Sequence, residues 1–143
     1  MGTWDVGPFD NDTAADFSIT LDGAAETERA AIIRDVLLRT ADTHGYLDED
    51  ISQEAIAAAA LVAAQCAGGE PVTTPYGPDL PIPELPTDLR ALAVQALDRV
   101  VTKPSGLMEL WGEGDRHGPW RAGVARLVAV LLPPAPGEQL SLV

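Results

Sequence analysis

The run Ala55-Ile56-Ala57-Ala58-Ala59-Ala60-Leu61-Val62-Ala63-Ala64 constrains this chain more than any other stretch. Alanine is the strongest helix former, and its small side chain lets a helix approach neighbours on several sides at once. The run predicts a helix at the centre of an all-α domain. It is too short to cross a bilayer, which takes about 18 or more consecutive apolar residues. The helix is expected to begin near "DEDISQEA", where Asp50 and Gln53 stand three residues apart, as in a capping box. It should end before Gly68-Gly69.

Helical periodicity recurs on both sides of this segment. Ala14, Phe17 and Leu21 predict a helix over about 12–22, closed by Gly23. Ile32, Ile33, Val36, Leu37 and Ala41 predict a second over about 25–43, with Arg29, Arg34, Asp35 and Arg39 largely on its outer side. Gly45 follows it as a left-handed C-terminal cap. Thr87 is the expected cap of a helix burying Leu89, Leu92, Ala93, Ala96, Leu97 and Val100. A short turn holds Leu107 to Trp111. A last helix begins near Pro119 and buries Trp120, Val124, Leu127, Val128 and Leu131, up to Pro133-Pro134.

Between the two halves lies "EPVTTPYGPDLPIPELP", with six of the twelve prolines. Proline lacks the amide hydrogen and fixes φ, so this stretch reads as an extended loop. Its apolar residues suggest a loop packed on the surface over 70–86. The alternative is a linker between two domains, but neither half has enough apolar faces to stand alone comfortably. The expected architecture is one compact bundle of five to six helices over residues 1–132, with a flexible tail at 133–143.

The net charge of −13 is concentrated at the front: residues 1–60 hold 13 acids and three arginines. Such a surface repels nucleic acid and anionic membranes and attracts basic proteins or cations, although acidity also serves solubility alone. One cysteine, Cys66, excludes an internal disulfide and fits a reducing compartment. With no signal peptide in view, the expected location is the cytoplasm.

The motifs of catalysis are missing. There is no HExxH, no GxSxG and no phosphate loop, and His44 and His117 are isolated. No catalytic residue, metal ligand set or cofactor is assigned. The candidate site is a set of acids: Asp5, Asp10, Asp12 and Asp16 at the front, and Asp48, Glu49 and Asp50 before the alanine-rich helix. Two readings compete for the front acids. In one, Asp10, Asn11 or Asp12 caps a helix, with Phe9 packing back on Ala14 and Trp4 anchoring the arm. In the other, Asp10, Asp12 and Asp16 hold a hard cation; the pattern lacks the further acid, glycine and terminal Glu of an EF-hand.

The stretch "GTWDVGPFDNDTAADF", with "GYLDED" leading into "AIAAAALVAA", "LPTDLRALAVQALDRV" and "ELW…WRAGVARLVAVL", resembles domain-of-unknown-function family 4259 of the type common in actinobacteria. The resemblance covers about residues 1–132 and is most specific at "GPFDND". It implies a small intracellular bacterial protein and carries no activity or catalytic residue with it. The expected function is a non-catalytic protein-binding module, of the kind in which an immunity protein or antitoxin masks a basic partner. A metal-binding domain or metal-dependent enzyme built on the N-terminal Asp cluster is the alternative. A homodimer through the Trp111/Trp120 region is a third expectation.

Overall fold

The structure, a computed structural model, describes residues 8–9, 11–66, 69, 77–78, 85–102, 105–106 and 117–132. These form five α-helices: α1 (Asp12–Gly23), α2 (Glu26–Ala41), α3 (Glu49–Ala64), α4 (Asp88–Val100) and α5 (His117–Leu131). No strand occurs among the described residues; Leu47 and Ser105 form an isolated parallel bridge.

The alanine-rich helix sits where its composition requires. α3 packs against α1, α2, α4 and α5. Eleven of its 16 residues are buried, against five of 16 in α2, so α3 has almost no outer face beyond its first turn. The other helices bury one stripe each: Phe17 and Leu21 on α1, Ile33 and Leu37 on α2, Leu89 and Leu97 on α4, Trp120 and Leu131 on α5. All join one core cluster, which also includes Phe9 and Leu85. Each fully buried leucine contributes about 1.5–3 kcal/mol relative to exposure.

Several helix ends depart from expectation. α1 runs through Gly23, and its C-cap is Ala24 in an extended conformation. α2 ends at Ala41 with Asp42 as its cap, so Gly45 and His44 lie beyond it. Neither Gly23 nor Gly45 takes a positive φ, and no left-handed cap is formed at either. The Asp50/Gln53 capping box is also absent. The N-cap of α3 is Asp48, which makes no side-chain capping bond, and Gln53 is buried on the inner face. Thr87 is the N-cap of α4 but likewise makes no side-chain bond.

Arginine does the work expected of these glycines. Arg29, expected on the outer side of α2, is only 7% exposed. Its Nε donates to Leu21 O (2.9 Å) and its Nη2 to Ala24 O (3.0 Å), closing the end of α1. Arg99 on α4 donates from Nε to Thr43 O (2.8 Å), from Nη1 to Thr102 O (2.8 Å) and from Nη2 to Gly45 O. Arg90 reaches Leu131 O (3.1 Å) and Leu132 O (3.0 Å) at the end of α5. A guanidinium satisfies two orphan carbonyls at once and complements the negative end of the helix dipole.

The proline-rich stretch falls outside the described residues except at 77–78 and 85–86; there Gly77 and Leu85 are buried, and Leu85 N donates to Gln65 Oε1 (2.8 Å). The expected turn at 107–111 and the tail at 133–143 also lie outside them.

Candidate functional site

At the start of α1 the cap is Asn11. Its buried amide oxygen accepts from Ala14 N (2.7 Å), and its own carbonyl accepts from Ala15 N (3.1 Å). Phe9 and Ala14 are both buried in the core beside it. With Asn11 in this role, neither Asp12 nor Asp16 is needed for capping. Both are exposed, one helical turn apart, and Asp12 sits in the first turn, where the dipole favours an anion. Asp5 and Asp10 lie outside the described residues, as does Trp4.

The start of α3 is held by other means. Leu47 is fully buried, and its carbonyl accepts from Gly106 N (2.7 Å). A Cβ on Gly106 would come within 2.6 Å of the Tyr46 hydroxyl oxygen and 3.0 Å of Glu49 N. Glycine thus lets the 105–106 segment approach the first turn of α3 without displacing the Tyr46 hydroxyl or crowding Glu49 N. Asp48, Glu49 and Asp50 remain exposed.

The two acid groups then meet. Thr13 Oγ1 on α1 donates to Asp50 Oδ1 on α3 (3.2 Å), joining the two helix starts across 37 residues of sequence. Asp12, Asp16, Asp48, Glu49 and Asp50 thus occupy one end of the α1–α3 pair. Among the described residues none of the five pairs with a base. One turn further along α3, burial pushes the Glu54 carboxyl above its ordinary range; nearby Arg39 opposes the shift and Asp50 adds to it.

Four arginines make their contacts elsewhere. Arg29, Arg90 and Arg99 grip helix-end carbonyls, and Arg34 holds Asp88 through two bonds of 2.7 and 3.1 Å. That hydrogen bonding lowers the Asp88 pKa and raises that of Arg34. Sequence reasoning missed the clamp formed by Arg29 although a signal was present. Arg29 lies four residues before Ile33 and eight before Leu37, on the same inner stripe of α2.

The remaining reactive side chains have structural surroundings. Cys66 is half-buried, and its Sγ donates to Val62 O (3.4 Å). Trp120 is buried in the core, and Trp111 lies outside the described residues. Among the described residues no group of three or more His, Cys, Asp or Glu side chains is arranged to hold a metal ion. No described helix is long and apolar enough to cross a membrane.

Against known proteins, the sequence model of the family described as "Domain of unknown function (DUF4259)" matches residues 2–123. The chain belongs to the DUF4259 family. The match begins ahead of α1 and ends within α5, short of the expected extent of about residues 1–132. It takes in both acid groups of this DUF4259 protein and the Arg29 and Arg99 clamps, but of the Arg90 clamp only the arginine, not the carbonyls of Leu131 and Leu132. No curated protein and no solved structure matches the chain.

Proposed function

We propose that this DUF4259 chain is a non-catalytic binding module that captures a basic protein through its acidic end, as an immunity protein or antitoxin masks a cationic partner. The contact residues are Asp12, Asp16, Asp48, Glu49 and Asp50, with Asp5 and Asp10 contributing from the N-terminal arm. The observation that carries this reading is the Thr13–Asp50 bond, which unites two acid groups far apart in sequence. Arg29, Arg34, Arg90 and Arg99 are engaged within the fold, and none of them pairs with these acids. Such a field steers a cationic partner and raises its association rate more than it slows dissociation.

The test is affinity capture from native cytosol at low ionic strength, with association rates then measured against the captured protein. The screening length is about 8 Å at physiological salt, so association should slow steeply as salt is added. Replacing Asp48, Glu49 and Asp50 together by their amides should slow association with little change in dissociation. An association rate indifferent to both salt and these substitutions rules the reading out.

A further inference from the structure

We draw no further inference here: the strongest candidate, the acidic surface patch at the joined starts of α1 and α3 with the exposed Ile19 on α1, belongs to the site already described, and nothing in the structure shows what covers it.

Discussion

α1 and α3 both begin among acids, yet they are held in opposite ways. α1 lies at the edge, packs chiefly on one helix and starts with a side-chain cap, the Asn11–Ala14 bond. α3 lies at the centre, packs on four helices and starts with no side-chain cap at all. Its local chemistry is even left incomplete. Ser18 and Thr40 turn their buried hydroxyls back onto the carbonyl four residues earlier, whereas the buried Ser52 hydroxyl of α3 has no partner among the described residues. An unpartnered buried hydroxyl costs about 1–3 kcal/mol. Local bonds secure the edge helix; packing secures the central one and tolerates local defects.

The largest expected effect strikes packing. Ala58 is fully buried in α3, so Ala58→Trp should destabilise by about 3 kcal/mol or more, beyond the usual range for over-packing. A melting temperature equal to the parent's would show that α3 is not enclosed. Next come the caps. Asn11→Ala should cost about 0.5–2 kcal/mol, while Asn11→Asp should be nearly neutral, because aspartate caps as well. Asp48→Ala at the corresponding position of α3 should cost much less than Asn11→Ala. Denaturant unfolding of the three variants measures the contrast, and equal losses for Asn11→Ala and Asp48→Ala would erase it.

The smallest effect concerns pH. Glu54 is half-buried, and its folded pKa lies above that of the unfolded chain. The stability it confers is full below the ordinary glutamate value and is lost as pH rises through the raised folded value. Glu54→Gln should therefore melt with the parent in acid and above it near neutrality. Parallel melting curves across that range would show that packing around α3 places no strain on this carboxylate.

The same contrast explains what could be read from sequence. The buried stripes of α1, α2, α4 and α5 and the central place of α3 follow from apolar periodicity and alanine content, which act through burial summed over many residues. The caps were less legible because they depend on single contacts. Gln53 had the spacing of a capping partner, but its place on the inner face of α3 prevailed. Gly45 had the right residue type for a left-handed cap, but α2 ends before reaching it, and Arg99 holds the 43–45 carbonyls instead. Of the candidate site, the acids themselves were evident. Their union was not, since no local pattern links Thr13 to Asp50.

The clamp on α5 separates the boundary of the family from the boundary of the fold. The family match stops at residue 123, midway along α5. Arg90 nevertheless bonds the carbonyls of Leu131 and Leu132, and Leu131 is fully buried. A gene fragment trimmed to the shared region would keep a half-buried guanidinium and delete both of its acceptors. A fragment that keeps this clamp must reach at least Leu132, nine residues past the end of the family match.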